Sequence, residues 1–261
     1  MNKDIFTTYK KWYDGYYDSF KNCEPEVYRN IVLKYKHTMN VCGNITEIAH
    51  NLKLDENDII ISRIVALFHD LGRFEQFKKY KTFSDEKSVN HAALALEILE
   101  KYELLKGIEP DTKKMICDAI KNHNSVGIEE NIGEKSKLFA KLIRDADKLD
   151  IFRIFVEYYE SPDKDESVAL HLKDNENYTP ELIDDILSGK TIRYGKLKFM
   201  NDFKLLKISW LFDINFSYSF DKILENNYIN MIYDKLPKDE NTKKVFDKAR
   251  IYLLDKCSFK N

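Results

Sequence analysis

The chain has 261 residues, of which 43% are hydrophobic and 33% are charged, a composition that excludes a disordered protein and allows a sizeable core. Its formal net charge of -2 gives no overall attraction to nucleic acid or to a membrane surface. The four cysteines are scattered without CxxC spacing, which argues against a disulfide scaffold. With a polar N-terminus and no apolar run long enough to cross a bilayer, we expect a cytoplasmic protein without a signal peptide.

Aromatic residues recur at helical spacing near the N-terminus and predict one aromatic helix face. They are Phe6, Tyr9, Tyr13, Tyr16, Tyr17 and Phe20. Such a face either stacks against a base or docks onto a core, and we favour docking because helical aromatic stripes usually pack. Pro25 suits the start of a second helix, which carries His37 in its middle and His50 near its end.

The next apolar run predicts a buried third helix. Asp55 or Asn57 is placed to cap it, and the residues up to Phe68 are apolar almost all round, so the helix is expected to be central. The run ends at His69 and Asp70, which are both competent metal ligands. A buried carboxylate without a partner is costly, so this setting favours a bound cation.

Further helices follow along the chain. Gly72 is expected to mark a turn, and residues 73–88 predict a loop or short helices. Ser88 or Asn90 is placed to cap a helix over 91–105. Pro110 opens a helix that ends at His123, and a long helix from about Ser136 to Tyr159 carries three acidic residues within an apolar pattern, namely Asp145, Asp147 and Asp150.

The remaining sequence predicts helices as well. Ser161-Pro162 and Thr179-Pro180 are helix starts. An aromatic helical stretch then runs to about residue 236 with a break near Asn215, and a last helix covers 239–254. The short alternation at Ile192 and Tyr194 does not establish a strand. Because almost no segment alternates, the fold class is predicted to be all-α.

Histidine and aspartate side chains fall at helix ends or on apolar helices in a fixed order. The order is His37, His69-Asp70, His91, His123 and Asp147, and the last of these lies in the run RDADKLD. This pattern resembles the HD-domain superfamily of metal-dependent phosphohydrolases, whose signature is H…HD…D, over roughly residues 30 to 160. The resemblance implies an HD-type helical core, and its motifs are specific only jointly.

The resemblance also implies the ligand set of a metal site. His37, His69, Asp70 and Asp147 would hold one ion, and Asp70 would bridge to a second ion held by His91 and His123. Two divalent ions of Mn, Fe, Co or Mg would together activate water and neutralise a phosphoryl oxygen. The alternative for the second pair is that His91 caps its helix and His123 is a surface side chain.

Other charged residues near these motifs have open roles. By the same resemblance, Asp145 is expected either to support a ligand from beside the site or to accept a hydrogen bond within its own helix. Arg73 and Lys148 are candidates for binding substrate phosphate alongside the catalytic Asp70, and the alternative for either cation is a salt bridge. Glu75 is either a proton donor or the structural partner of Arg73.

The expected function is hydrolysis of a nucleotide or another small phosphate ester, as a phosphomonoesterase or phosphodiesterase. Alternatives are a mixed-valent di-iron oxygenase, which uses the same six ligands in this superfamily, and a non-catalytic binding protein. No nucleic acid polymer and no membrane is expected as a partner, and a homodimer is left open. The expected division is a packed N-terminal helix over 1–29, a metal-binding domain over 30–160 and a helical extension over 161–261.

Overall fold

The computed structural model describes residues 4–160 and 172–258, and this part of the chain is all-α, which confirms the predicted class. It contains no strand, and an isolated bridge joins Lys173 and Phe199. In chain order the helices are α1 Asp4–Asp18, α2 Pro25–Asn51, α3 Glu56–Phe68, α4 Gly72–Tyr80, α5 His91–Lys101, α6 Pro110–Asn122, α7 Glu134–Glu160, α8 Glu181–Leu187, α9 Met200–Ser209, α10 Ser217–Glu225, α11 Tyr228–Asp234 and α12 Glu240–Lys256.

The chain divides into two compact units, one up to Asp150 and the other from Ile151 onward. The dividing point falls within α7. The sequence-based boundaries at 29/30 and 160/161 stay a prediction. None of the helices in the described ranges combines the length and the apolar character that crossing a membrane requires.

The first unit is built around α3. Its residues from Ile59 to Phe68 are buried apart from Arg63, and the helix packs against α1, α2 and α6. Asp55 caps α3 by accepting a hydrogen bond from the Asp58 backbone N–H at 2.8 Å. A helix that is apolar almost all round must be covered on every side, which explains why the others surround it.

The aromatic face of α1 packs against this core, as the sequence analysis favoured. Tyr9, Tyr13 and Tyr16 are buried on α1. The Tyr9 ring meets the Phe68 ring edge-on with centroids 5.4 Å apart, and Tyr13 contacts Phe74 at 5.6 Å. The aromatic stripe is therefore a packing surface.

Gly72 does not have the role that was predicted for it. It is the first residue of α4, and its φ is not positive, so it does not end a helix by a left-handed turn. Instead it lies against the start of α5. A Cβ at this position would overlap the His91 carbonyl oxygen and lie 2.9 Å from the Ala95 nitrogen. Glycine is needed here because α4 and α5 approach closely at this point.

The second unit is organised around α9, all of whose residues are buried. The helix packs against α8, α11 and α12. The Asp202 carboxylate fastens the preceding segments to it, because it accepts hydrogen bonds from the backbone N–H groups of Thr179 at 2.6 Å and Lys198 at 2.8 Å. The predicted helical extension is therefore present, with α9 as its core.

Several details of this unit differ from the sequence analysis. Thr179 was expected to cap α8, but its hydroxyl donates to Asp202 at 2.8 Å, and Pro180 holds the cap position. The predicted break near Asn215 is confirmed between Asp213 and Ser217. A further break before α11, where Asn227 has a φ of 57°, was not predicted. The expected helix start at residues 161–162 lies outside the described residues.

We predict that Gly72→Ala lowers the free energy of unfolding by about 1–3 kcal/mol, because the added methyl group meets backbone atoms that cannot rotate away. The control is Gly43→Ala on the exposed side of α2, where a Cβ would meet nothing within 4 Å. That change should raise stability by up to ~1 kcal/mol through helix propensity. Urea unfolding measures both. Wild-type stability of the Gly72 variant would contradict the close approach.

Candidate metal centre

The residues of the predicted ligand set come together in the first unit. His37 lies in the middle of α2, His69 and Asp70 follow α3, His91 opens α5 and His123 follows α6. All five of these residues are buried. Asp147, on α7, is half-buried with a side chain 18% exposed.

His37, His69 and Asp70 form one group that is able to hold a metal ion. Asp70 Oδ2 lies 3.6 Å from His37 Nε2 and 3.8 Å from His69 Nε2. Asp147 faces the same group, because its Oδ1 atom lies 3.0 Å from His37 Nε2 and 3.8 Å from His69 Nε2. Imidazole and carboxylate ligands of this kind suit first-row divalent metals.

Asp70, His91 and His123 form a second such group. Asp70 Oδ1 lies 3.3 Å from His91 Nε2 and 3.8 Å from His123 Nε2. The two carboxylate oxygens of Asp70 therefore face different histidine pairs, with Oδ2 toward one group and Oδ1 toward the other. A carboxylate placed in this way is able to bridge two ions.

Two of the four imidazoles are oriented by the ends of the helices that precede them. His69 Nδ1 donates to the Ala66 carbonyl at 2.7 Å, and His123 Nδ1 donates to the Ile120 carbonyl at the same distance. The last carbonyls of a helix lack partners within it, so a histidine just after the helix satisfies one of them. The bond also fixes the tautomer, since a carbonyl only accepts.

The other two imidazoles are oriented by carboxylates that the sequence analysis did not assign to the site. His37 Nδ1 lies 2.7 Å from Asp150 Oδ2, and His91 Nδ1 lies 2.7 Å from Asp85 Oδ2. An imidazole that donates Nδ1–H to a carboxylate is held in one orientation and becomes a stronger ligand through Nε2.

Because each ring carries its proton on Nδ1, the Nε2 lone pairs of all four histidines are left without a proton. In the described part of the chain, Nε2 of His37 and of His69 is buried without a donor to satisfy it, and carboxylate oxygens of Asp70 and Asp147 lie 3.0 to 3.8 Å away. His91 Nε2 and His123 Nε2 lie 2.9 Å apart, although both Nδ1 atoms already donate elsewhere. Buried lone pairs in this arrangement are costly unless a proton or a cation lies between them. The donor set therefore fits divalent metal ions.

The electrostatics of His69, His91 and Asp70 also suit metal binding, whereas the pKa of His37 is raised, because burial and Lys34 are outweighed by Asp147 and Asp150. Burial lowers the pKa of His69, and burial together with the nearby Arg73 charge lowers the pKa of His91 to about 3, so both rings are neutral at pH 7. Burial opposes the charged form of Asp70, but the charges of Lys34 and Arg73 hold its pKa well below the usual value. Neutral imidazoles and an ionised carboxylate are the forms that bind metals.

Arg73 is held by a hydrogen-bond network rather than directed at solvent. Its NH1 group donates to Gln76 Oε1 at 2.8 Å, to the Phe83 carbonyl at 2.6 Å and to Asp85 Oδ1 at 3.0 Å, and Nε lies 3.4 Å from Asp70 Oδ1. The structure thus contains the salt bridge that the sequence analysis weighed against phosphate binding. Contact of Arg73 with substrate stays a prediction.

The other predicted residues are placed as follows. Asp145 is fully buried, and Lys148 is buried and donates to the Arg144 carbonyl at 3.3 Å. The Glu75 carboxylate accepts a hydrogen bond from the Tyr16 hydroxyl at 3.2 Å, which was neither of the roles considered for it. Roles for these residues in the reaction stay predictions. His50 is exposed, as expected for a residue outside the site.

The residues that the sequence analysis missed differ in how visible they were. Asp150 follows Asp147 by three positions, which places both on one face of α7. The spacing of three residues is therefore a sequence signal for Asp150. Asp85 lies in a 3₁₀ turn with no periodic pattern. Lys34 Nζ lies 2.7 Å from Asp70 Oδ2, but no motif in the sequence distinguishes this lysine from the others.

Comparison with known proteins gave one result. A family model described as HD domain matches residues 35–151, a range that contains all six predicted ligands. Searches among curated proteins and among solved structures gave no match.

We predict that Asp147→Ala and Asp145→Ala have different effects on metal content. Two residues apart on one helix, their side chains point about 200° apart, so only one faces the histidines. Asp147→Ala should lose metal, whereas Asp145→Ala should keep most of it. Bound metal per chain decides. An empty Asp145 variant beside a loaded Asp147 variant would mean that the last ligand is misassigned.

A second prediction concerns Asp150, which holds the His37 ring through Nδ1. Asp150→Asn keeps the size of the side chain but removes its charge, so the first group should bind metal about 10- to 100-fold more weakly. Asp58→Asn is the control, because Asp58 is also buried but is paired with Lys135. Competition with a chelating indicator measures both affinities. Equal losses in the two variants would contradict the role of Asp150.

Proposed function

We propose that this chain, which contains an HD domain over residues 35–151, is a metal-dependent hydrolase and cleaves a phosphate ester. The substrate in this proposal is a nucleotide or another small phosphate ester. The observation that carries the proposal is the position of Asp70, whose two oxygens face two separate histidine pairs. Such a carboxylate is suited to a pair of ions that act on one phosphoryl group.

Different residues of the chain would hold the two ions at this centre. His37, His69 and Asp147 would hold one ion together with Asp70 Oδ2, and His91 and His123 would hold the other with Asp70 Oδ1. Bound divalent ions would supply a water of lowered pKa and positive charge for the phosphoryl oxygens.

The hydrogen bonds on Nδ1 hold the rings in place before substrate arrives. Asp150 and Asp85 orient one ring in each group, and helix-end carbonyls orient the other two. Because these rings need no reorientation on binding, the ligands are preorganised for the reaction.

The charge of the site supports an anionic substrate. Of the six ligands only Asp70 and Asp147 carry negative charge, and Lys34 and Arg73 balance the nearby Asp85 and Asp150 carboxylates, so two divalent ions would leave the centre with net positive charge. Substrate would approach from the side of Asp147, because its side chain is 18% exposed and that of Asp70 is 4% exposed. Lys34 at 16% and Arg73 at 14% are also partly exposed and add positive charge.

The test is metal-dependent hydrolysis. Protein purified without chelator is analysed for metal, stripped, and reloaded with Mn, Fe, Co or Mg before assay against phosphomonoesters and phosphodiesters. We expect about two ions per chain and hydrolysis only after reloading. Asp70→Ala should lose both ions together, because one carboxylate serves both groups.

The control for this assay is His50→Ala, because His50 is exposed on α2 and is not part of the cluster. This variant should match the wild type in metal content and rate. Failure of folded, fully loaded protein to cleave any ester would contradict the proposal. Oxygen uptake by the iron-loaded protein with a polyol or a phosphonate, without ester hydrolysis, would support the oxygenase alternative instead.

A further inference from the structure

Lys34 is a cation in direct contact with the first metal-binding group. It lies on α2 three residues before His37, and its Nζ atom is 2.7 Å from Asp70 Oδ2. Oδ2 is the oxygen that faces His37 and His69. The Lys34 side chain is 16% exposed, and its ammonium lies 5.2 Å from the centroid of the Phe83 ring. The residue therefore connects the buried carboxylate to the partly open side of the site.

A metal ion in this group and the Lys34 ammonium require the same oxygen. Both are positively charged, and Asp70 Oδ2 is a ligand of the group that contains His37 and His69. With an ion bound there, the attraction between Lys34 and Asp70 would weaken and the ammonium would be repelled. The ammonium sits on a flexible four-carbon stem, so it is able to move away from Asp70 toward the opening.

The other cations at the site differ from Lys34 in their acceptors, and Arg73 has several of them. The Arg73 guanidinium donates to Gln76, to the Phe83 carbonyl and to Asp85. Lys148 is buried on α7 and donates to a backbone carbonyl of its own helix. A cation with several fixed acceptors loses them when it turns to a substrate, whereas Lys34 exchanges one carboxylate for another anion.

We propose that Lys34, whose ammonium contacts Asp70 Oδ2, binds the anionic group of the substrate when metal occupies the centre. This inference rests on the proposed phosphohydrolase function and assigns its phosphate-binding cation. Lys34 thus couples metal loading to substrate binding, since the same ion that draws on Asp70 Oδ2 makes the ammonium available.

The test compares Lys34→Met with the wild type in the metal-loaded protein. Methionine keeps the length and the apolar stem beside Phe83 but lacks the charge. We expect binding of inorganic phosphate, measured by calorimetry, to weaken roughly 10- to 100-fold. We expect KM for a hydrolysed ester to rise by a similar factor, with kcat changing less and metal content per chain not reduced. Lys34→Arg should restore most of the phosphate affinity.

Lys36→Met is the matched control, because Lys36 is exposed on the same helix. It should bind phosphate as the wild type does. If the wild type binds phosphate and Lys34→Met binds it equally well, the assignment of Lys34 is wrong and the proposed function stands. If Lys34→Met instead loses metal in proportion to phosphate, Lys34 is a structural partner of Asp70 and the inference also fails. If the loaded wild type binds no phosphate but cleaves an ester, an unchanged KM in Lys34→Met overturns the assignment, and if it also cleaves no ester, the phosphate-ester proposal itself is overturned.

Discussion

The Asp70 carboxylate imposes the constraint on which the first unit depends. It is 3% exposed at the end of an apolar helix, and an ionised group in such a place must be surrounded by partners. Lys34 and Arg73 contact it, and four imidazole Nε2 atoms surround it at 3.3 to 3.8 Å. Helices that are distant in sequence therefore converge on one residue, and α3 is central both to the core and to the site.

The close packing of α4 against α5 contributes directly to this arrangement. Gly72 follows Asp70 by two residues and lies against the His91 carbonyl oxygen. The same contact that excludes a side chain at Gly72 brings the start of α5 beside Asp70, with His91 as the first residue of that helix. Fold stability and site geometry are thus linked at one helix crossing, because a larger residue would separate the two helices.

Helix positions and ligand types were predictable from the sequence because both leave periodic or short-range signals. Asn90 shows this, since a cap residue before an apolar run placed His91 at a helix start, where the structure has it. Asp85 was not predictable, because its partners, Arg73 and His91, are brought to it only by tertiary packing. The prediction of a turn at Gly72 was wrong for a similar reason. A turn and a close helix crossing favour the same residue, and only the packing distinguishes them.

The two metal-binding groups share one design but differ in the number of ligands. Each group has one imidazole held by a carboxylate, through Asp150 or Asp85, and one held by a helix-end carbonyl. The first group also has Asp147, so it offers four side chains where the second offers three. An ion with fewer protein ligands keeps more positions for water or substrate. Under the proposed function, an ion in the second group would therefore keep more positions for water or substrate, and Lys34 adds positive charge beside the first group.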